Sequence, residues 1–212
     1  MTLADTSSPL AALARRRTYP RGSVLFFQGD PSHDVLFIVD GAVRLDCVVS
    51  NGAQMLELLG SGDWLGEMGV IADEARSATA VAVTAVDVDV IDRDAFASLM
   101  ADPIVAAQLL VNATRRVARA SRRQTELGAS DALGRVCARL TELAERFGEP
   151  SSIGVAIRSP LSQKDIASWA GISRETVVTS LSTLRTLGWI QTRGRQITLL
   201  RPEAVLSRSC VI

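Results

Sequence analysis

The sequence has too few cysteines and histidines for the sites that these residues usually build. Its three cysteines, Cys47, Cys137 and Cys210, lie far apart and include no C-x-x-C pair, so the sequence predicts neither a disulfide framework nor a metal site. His33 is the only histidine, which excludes a multi-histidine metal site and most acid–base catalytic arrangements. Since no nucleophile–base pair or carboxylate constellation stands out either, we do not expect an enzyme.

Long apolar runs and a signal-peptide core are also missing. Hydrophobic residues make up 47% of the chain, yet no apolar run approaches the length needed to cross a bilayer. We therefore expect a cytoplasmic protein with no membrane partner. With 212 residues, the chain has room for two modest domains that each bury a core.

The formal net charge is zero, but the charges are unevenly distributed. Residues 1–102 carry 7 arginines and 15 acidic residues, a net charge of −8, whereas residues 129–212 carry 11 basic and 7 acidic residues, a net charge of +4. A basic C-terminal part favours a polyanionic partner for that half alone, although an ordinary solvated surface would give the same count.

The most informative stretch runs from Gly62 to Val81 and has the sequence GDWLGEMGVIADEARSATAV. Its glycines let the backbone approach a ligand closely, and the segment after Glu67 predicts about one helical turn with free N–H groups. Arg76 offers a forked positive charge to a phosphate, and the Ser77 hydroxyl adds a donor. Glu67 would repel a phosphate unless the ligand also carried hydroxyls. A phosphate beside a sugar meets both requirements.

Gly66-Glu67, followed nine residues later by Arg76-Ser77-Ala78, resembles the phosphate-binding cassette of the cyclic-nucleotide-binding domain in the CRP/FNR family of bacterial transcription regulators. The resemblance implies that Glu67 holds the ribose 2′-hydroxyl and that Arg76 and Ser77 hold the cyclic phosphate. It also implies a cyclic nucleotide as the effector, with cyclic AMP (cAMP) as the first expectation.

The rest of the N-terminal part predicts a short helix and then an all-β domain. Residues 1–17 end in three arginines and favour a short helix. Residues 18–91 contain short β-type runs separated by turn residues, which indicate a sandwich or barrel, and the resemblance implies a jelly-roll. Hairpin turns are predicted at Asp40-Gly41 and at residues 51–52.

Asp102-Pro103 begins the longest helical pattern, which ends near Gly128. Small or apolar residues recur along it at alternating intervals of four and three, which is a heptad seam. Because this seam is narrower than a helix lying on its own domain needs, we expect a two-fold coiled coil and a homodimer. The seam consists of Ala106, Leu110, Ala113, Val117, Ala120, Gln124 and Leu127.

The resemblance places part of this helix near the base of the nucleotide. It implies that Arg116, Ala120 and Ser121 stand there, with Ser121 facing the ligand of the neighbouring protomer. The Ala120 methyl cannot accept a hydrogen bond from an adenine amino group, which leaves the identity of the base open. We also expect Leu45 and Leu56 on strands that face the cassette. The candidate ligand-binding residues are Leu45, Leu56, Gly66, Glu67, Arg76, Ser77, Arg116 and Ser121.

Residues 161–187 predict two helices joined at Gly171, whose left-handed conformation suits the turn. Ser162 opens the first helix with a capping-box-like pattern, and Ser173 caps the second. The pattern fits a helix-turn-helix, whose second helix enters the major groove of DNA. A hinge is predicted between this part and the long helix, at residues 128–131.

The exposed first turn of the second helix carries Arg174 and Glu175. Arginine can bond guanine O6 and N7 together, and glutamate can accept from a cytosine amino group. The sequence S-R-E-T-V also resembles the DNA-reading helix of CRP-type regulators, which implies a GTGA-like half-site, and Thr179 stands where a third base-reading arginine is found in that family. A β-hairpin wing is predicted at residues 188–199, with Gly194 in its turn and Arg193 and Arg195 near phosphates. The candidate DNA-binding residues are Ser162, Ser173, Arg174, Glu175, Thr179, Arg193 and Arg195.

These patterns predict an α+β chain with a jelly-roll domain at 1–102, a dimerisation helix at 103–128 and a winged helix-turn-helix domain at 129–212. We expect a homodimer that binds palindromic double-stranded DNA in response to cAMP, with RNA polymerase as a further partner. One alternative is a regulator that needs no small molecule. Another is a redox or gas sensor with haem or an iron–sulfur cluster, which a single histidine and no N-terminal cysteine cluster disfavour.

Overall fold

The computed structural model describes residues 13–49, 52–158 and 160–209. The chain divides into two compact units, and the boundary falls after Ala118, within the longest helix.

The N-terminal unit contains two four-stranded antiparallel sheets, with strand orders β1-β8-β3-β6 and β2-β7-β4-β5. Leu36, Ile38, Val43 and Leu59 belong to the core cluster that joins the two sheets. This arrangement confirms the predicted β domain. The strands are β1 (Arg15–Tyr19), β2 (Val24–Phe26), β3 (Asp34–Asp40), β4 (Ala42–Val49), β5 (Gly52–Gly60), β6 (Trp64–Leu65), β7 (Thr79–Ala82) and β8 (Val86–Asp92).

Helices cover the outer face of the first sheet. They are α1 (Glu67–Ala72), α2 (Arg93–Met100) and the long α3 (Pro103–Ala129). A second core cluster joins Phe37 of β3 and Trp64 of β6 to Phe96 of α2, and the rings of Trp64 and Phe37 lie 5.0 Å apart between centroids. Because both faces of β3 are buried, its sequence is a continuous apolar run rather than an alternating one.

The helix expected at residues 1–17 lies largely outside the described residues, but its end is wrong. Residues 15–17 form the start of strand β1, since β8 supplies acidic partners across the ladder, as in the 2.6 Å bond from Arg16 Nε to Asp89 Oδ1. One of the two predicted hairpin turns is also wrong. Asp40-Gly41 does not close a hairpin, because β3 and β4 belong to different sheets. β4 and β5 do pair as a hairpin, although its turn at residues 50–51 lies outside the described residues.

The heptad seam of α3 lies on the outside of the chain. Val105 and Leu109 are the buried residues of this helix, whereas the seam residues Leu110 and Val117 are exposed. Among the described residues, no single helix is long and apolar enough to cross a membrane; α2 and α3 meet that length and composition test only together, with a bend of 102° between them.

The C-terminal unit combines four further helices with a small antiparallel sheet of order β11-β12-β10-β9. The predicted helix-turn-helix corresponds to α5 and α6, and the predicted wing corresponds to β11 and β12. The final helix, α7, was not predicted. The elements are α4 (Ala132–Phe147), β9 (Gly148–Ser151), β10 (Gly154–Arg158), α5 (Gln163–Ala170), α6 (Arg174–Thr186), β11 (Ile190–Arg193), β12 (Gln196–Leu199) and α7 (Pro202–Ser209).

Candidate functional site

The cassette begins at Gly66, which precedes α1 in a left-handed conformation with φ of 77°. A Cβ atom at this position would lie 1.8 Å from Nη1 of Arg76. Nη1 itself donates a hydrogen bond of 2.9 Å to the Gly66 carbonyl oxygen. The chain therefore needs glycine here for two reasons, its backbone angle and the space that the arginine occupies.

Arg76 is held tightly in the wall of the cassette, with only 4% of its surface exposed. Its Nη2 donates to the Asp34 carbonyl oxygen at 2.8 Å and to Asp34 Oδ1 at 2.5 Å. Its guanidinium carbon lies 4.3 Å from the centroid of the Phe26 ring. These contacts fix the direction of the positive charge before any ligand arrives, which lowers the entropy cost of binding a phosphate.

Arg116 bridges two buried carboxylates, Glu57 and Glu67, each 6% exposed. Its Nε donates to Glu57 Oε2 at 3.0 Å, and its Nη1 pairs with Glu67 Oε1. Burial raises the pKa of the Glu67 carboxyl above its ordinary value, and the positive charge of Arg116 opposes that rise. Arg116 is therefore an ion-pair partner of both acids.

The other oxygen of Glu67, Oε2, is buried and has no hydrogen-bond partner among the residues that the structure describes. Buried acceptors are nearly always paired, so an orphaned one needs an explanation. A hydroxyl donor on a ligand would satisfy it. This observation fits the sugar that the sequence analysis required beside the phosphate.

The cavity between these groups is small, about 20 Å³, which is room for about one water molecule. Six of the eight candidate ligand-binding residues line it. One of these six, Arg116, is the single residue of α3 in the described lining. A nucleotide requires some lining side chain to move, since ligand pockets usually measure about 300–1,000 Å³. The lining consists of Phe26, Leu45, Gly66, Glu67, Met68, Gly69, Arg76, Ser77, Ala78 and Arg116.

The structure does not bring Leu56 or Ser121 to this cavity. Leu56 lies on β5 as expected, but it is 42% exposed and outside the cavity lining, and its expected contact with a ligand stays a prediction. The ladder shifts between Leu45↔Glu57 and Asp46↔Met55, so Leu56 falls in a bulge and Glu57 takes the inward position. Ser121 belongs to the C-terminal unit and is exposed there, and its expected role in a neighbouring protomer stays a prediction.

The helix-turn-helix has the caps that the sequence analysis expected. Ser162 and Asp165 form a reciprocal capping box at the start of α5, and Gly171 turns the chain with φ of 64°. The Ser173 hydroxyl accepts from the Thr176 N–H at 3.1 Å and so caps α6. These caps fix the start of α6, where base-reading side chains are expected.

The candidate base-reading residues Arg174, Glu175 and Thr179 are exposed on α6, whereas Val177 and Leu181 are buried beneath them. Hydrogen bonds from its own backbone N–H and from the Ser173 hydroxyl lower the pKa of the Glu175 carboxyl. Glu175 therefore stays ionised and can accept bonds at neutral pH.

A cleft of about 480 Å³ lies between the helix-turn-helix and the wing. It gathers the candidates Ser162, Arg174 and Arg195, whereas Arg193 is exposed on the wing outside it. Lys164 and Arg185 also line it, and the sequence analysis missed both. No acidic residue appears in its described lining, which consists of Leu161, Ser162, Gln163, Lys164, Ile166, Arg174, Leu181, Arg185, Thr192, Gly194, Arg195 and Ile197. Such a surface suits phosphate groups.

No group of three or more His, Cys, Asp or Glu side chains is placed to hold a metal ion in the described parts of the chain. The functional residues that the sequence analysis missed in the N-terminal unit are Asp34 and Glu57. Both contact a cassette or helix arginine from a distant strand, 42 and 59 residues away in sequence. For Glu57 a signal existed, because it is a lone acid with two apolar residues on either side of it in β5.

Two protein-family models match the chain. The model of the cyclic nucleotide-binding domain matches residues 16–102, and that of the Crp-like helix-turn-helix domain matches residues 134–207.

Similar proteins agree with both matches. The CRP-like cAMP-activated global transcriptional regulator of Mycobacterium tuberculosis is 31% identical, and the match covers 95% of this chain and 92% of that protein. The cyclic AMP receptor protein of Thermus thermophilus is also 31% identical, over 84% of this chain and 80% of that protein. The solved structure of FixK2 from Bradyrhizobium japonicum superposes with a TM-score of 0.82 at 26% identity, covering 94% of this chain and 98% of that one.

Proposed function

Because the chain belongs to the CRP/FNR family of transcription regulators, we propose that it is a homodimeric, sequence-specific DNA-binding regulator controlled by a cyclic nucleotide. The nucleotide would bind in the jelly-roll domain at 1–102, the helix at 103–128 would join two protomers, and the domain at 129–212 would bind DNA. The protein would act in the cytoplasm, on palindromic operators and together with RNA polymerase, and it would not be an enzyme.

The observation that carries the sensor role is the pairing of an oriented arginine with an orphaned acceptor. Arg76 is fixed for a phosphate by Asp34 and Gly66, and Glu67 Oε2 is buried without a hydrogen-bond partner among the described residues. A cyclic nucleotide offers an anion and a hydroxyl on one rigid frame, so it can satisfy both groups at once. cAMP is the first compound to test, because two of the similar proteins are named for it.

The exposed seam of α3 supports the homodimer. Leu110 and Val117 lie on the seam and are 68% and 70% exposed, which is unfavourable for large apolar side chains unless another surface covers them. We expect the Leu110→Glu/Val117→Glu variant to sediment as a monomer. Val111→Glu is the matched control, because Val111 is an exposed apolar residue of the same helix outside the seam. A dimeric double variant would contradict the coiled coil.

A nucleotide can control DNA binding only if the protein has two conformations, one that binds DNA and one that does not. The nucleotide must then bind the first conformation more tightly than the second. The predicted hinge at residues 128–131 would then transmit the change. The helix α4 starts there with Asp131 as its cap, whose Oδ1 accepts from the Gly134 N–H at 2.8 Å.

A second candidate function is a regulator that binds DNA without a small molecule. The observation in its favour is the closed cassette, where Arg116 already occupies Glu57 and Glu67 and the cavity measures about 20 Å³. Equal affinity for an operator with and without nucleotide would select this alternative.

Calorimetry and operator titration on the full-length protein separate the two. We expect a cyclic nucleotide to bind and to increase operator affinity, and Arg76→Ala to weaken nucleotide binding by about 10- to 100-fold, since bonds between charged groups contribute about 1.5–3 kcal/mol. Arg76→Lys tests the same contact while keeping the charge, and Arg21→Ala changes an exposed arginine of the same unit as a control. Undiminished binding by a folded Arg76→Ala variant would overturn the phosphate assignment.

A further inference from the structure

A cavity of about 350 Å³ in the C-terminal unit has no part in the functions above. Its lining residues come from the end of α3, from α4 and from α7, and none of them lines the cassette cavity or the cleft beside the wing. Small-molecule sites usually measure about 300–1,000 Å³. The cavity therefore has room for a small ligand, whose class follows from the polar groups of the lining.

Arg139 of α4 is the most buried polar residue of this lining, with 2% of its surface exposed. Its Nη2 donates to Glu126 Oε2 at 2.5 Å, and its guanidinium carbon lies 5.1 Å from the centroid of the Trp169 ring. Its Nε and Nη1, by contrast, have no hydrogen-bond partner among the described residues. Buried donors are nearly always paired, so Arg139 calls for an acceptor, and an anionic oxygen suits a guanidinium best.

Glu142, one turn further along α4, presents the opposite charge to the same cavity. It is 9% exposed, and its Oε1 has no hydrogen-bond partner in the part of the chain that the structure describes. Arg119 Nε and Arg123 Nη2 each lie 3.9 Å from this oxygen, and Arg139 Nη1 lies 3.7 Å from Oε2. These distances allow attraction between the charges but are too long for hydrogen bonds. Glu142 therefore calls for a donor.

The lining has no net charge, because its three arginines balance its three glutamates. A simple anion would satisfy Arg139 but would bring a second negative charge to Glu142, and a simple cation would be repelled by Arg139 in the same way. The ligand must therefore carry both charges. Since Arg139 Nη1 and Glu142 Oε2 are only 3.7 Å apart, the two charges of the ligand must also be adjacent. The charged lining residues are Arg119, Arg122, Arg139, Glu126, Glu142 and Glu145.

We propose that this cavity is a second ligand site, which binds an α-amino acid. The carboxylate of the amino acid accepts hydrogen bonds from Arg139, and its ammonium group donates to Glu142. The Thr141 hydroxyl is a further contact, because its buried oxygen lines the cavity and also lacks a partner among the described residues. The site goes beyond the proposed function and does not depend on it, since it uses no residue of the cassette.

The test is calorimetry on the full-length protein with each of the standard L-amino acids. We expect at least one of them to bind. Binding by none would overturn the proposal and would leave the cavity to water, whether or not the cassette binds a nucleotide.

Three derivatives of the bound amino acid test the two contacts in the wild type, without any variant. They are the acid that lacks the amino group, the amine that lacks the carboxyl group, and the N-trimethyl derivative, which keeps both charges but has no N–H to donate. Each should bind at least about tenfold more weakly, since each lacks a hydrogen bond to a charged group. A derivative that binds as tightly as its parent would overturn the proposal.

Glu142→Gln tests the location of the site, because glutamine keeps the shape of the side chain and removes its negative charge. We expect it to weaken binding of the amino acid at least about tenfold. Glu203→Gln is the matched control, since Glu203 is an exposed acid of α7 outside the cavity lining, and it should bind like the wild type. Unchanged binding by Glu142→Gln would overturn the site.

Should Glu142→Gln fail to fold, Thr141→Val carries the same test. Valine matches the shape of threonine without its hydroxyl, so the change removes one neutral contact of the ligand and leaves the charges in place. We expect a loss of affinity of about threefold to tenfold. Unchanged binding by Thr141→Val would then overturn the site.

Discussion

In the cassette, both arginines are already paired with acids of the same unit, whereas the cleft of the C-terminal unit has basic side chains and no acidic residue in its described lining. A ligand that binds in the cassette must therefore compete with ion pairs that the arginines already form within the unit. DNA bound in the cleft, as we propose, would form new contacts without breaking ion pairs among the lining residues. We infer that the cassette selects among ligands because a ligand must replace existing ion pairs. The C-terminal cleft would owe its affinity for DNA to its positive charge.

The largest effect should come from removing the cation that two buried acids share. We expect Arg116→Leu to lower the free energy of unfolding by about 3–5 kcal/mol, because it removes the cation that pairs with both Glu57 and Glu67 while the two acids stay buried. Urea unfolding measures this. Arg115→Leu, at an exposed position of the same helix, should stay within about 0.5 kcal/mol of the wild type. A similarly small change for Arg116→Leu would show that the cassette is not internally satisfied.

A smaller effect is expected at the first turn of α6. Arg174→Ala should relax the preference for one guanine of the operator by about 1–3 kcal/mol, because the exposed Arg174 fork is suited to guanine O6 and N7. Binding to an operator and to single-base variants measures the discrimination. Arg201→Ala serves as a control, because Arg201 is exposed but lies outside the cleft lining. Unchanged discrimination by Arg174→Ala would count against direct reading of a base.

An exposed charged pair in the C-terminal unit should matter less than the buried one of the cassette. Asp131 caps α4, and Arg208 Nη2 donates to its Oδ2 at 2.5 Å. We expect Asp131→Ala to lower the free energy of unfolding by about 1 kcal/mol, the usual contribution of a helix cap. Thermal or urea unfolding at neutral pH measures it.

The same pair predicts a pH dependence. A hydrogen bond from the Gly134 amide lowers the pKa of the Asp131 carboxyl below its ordinary value of 3.8. The stabilisation by the cap is therefore complete above that value and is lost as the pH falls through the lower pKa of the folded protein. The difference between Asp131→Ala and the wild type should shrink on acidification, and a difference that persists would contradict the cap as its source.

The smallest effect concerns Lys164, a cleft residue suited to contact with a phosphate. Lys164→Ala should weaken binding to all DNA sequences about equally and reduce the slope of log affinity against log salt by about 1. Binding of nucleotide to the cassette should change little over the same salt range, since buried pairs are poorly screened. An equally steep salt dependence at both sites would remove the contrast between them.

The parts of the sites that the sequence predicted are those built from neighbouring residues. Gly66, Glu67, Arg76 and Ser77 lie within one turn and its loop, so their spacing alone brings them to one cavity. The caps of the helix-turn-helix are local in the same way, since Ser173 bonds a residue three positions away. Residues that are close in sequence can be placed correctly because the backbone geometry of caps and turns determines how they lie relative to one another.

The parts that the sequence did not predict depend on strand register. Asp34 reaches Arg76 across 42 residues, and Glu57 reaches Arg116 across 59. Which face of β5 turns inward is decided by the bulge at Leu56, and a shift of one residue exchanges the two faces of a strand. Local propensity also failed at Asp40-Gly41, since it does not specify to which sheet the next strand belongs.

Gly66 has a further consequence for how variants of this protein are interpreted. Since a methyl group at position 66 would lie 1.8 Å from Nη1 of Arg76, any substitution there pushes the guanidinium out of its place. Gly66→Ala should therefore resemble a loss of the arginine in a binding assay, although it changes no charge and removes no hydrogen-bonding group. The phosphate would be recognised as much by a position without a side chain as by the cation beside it.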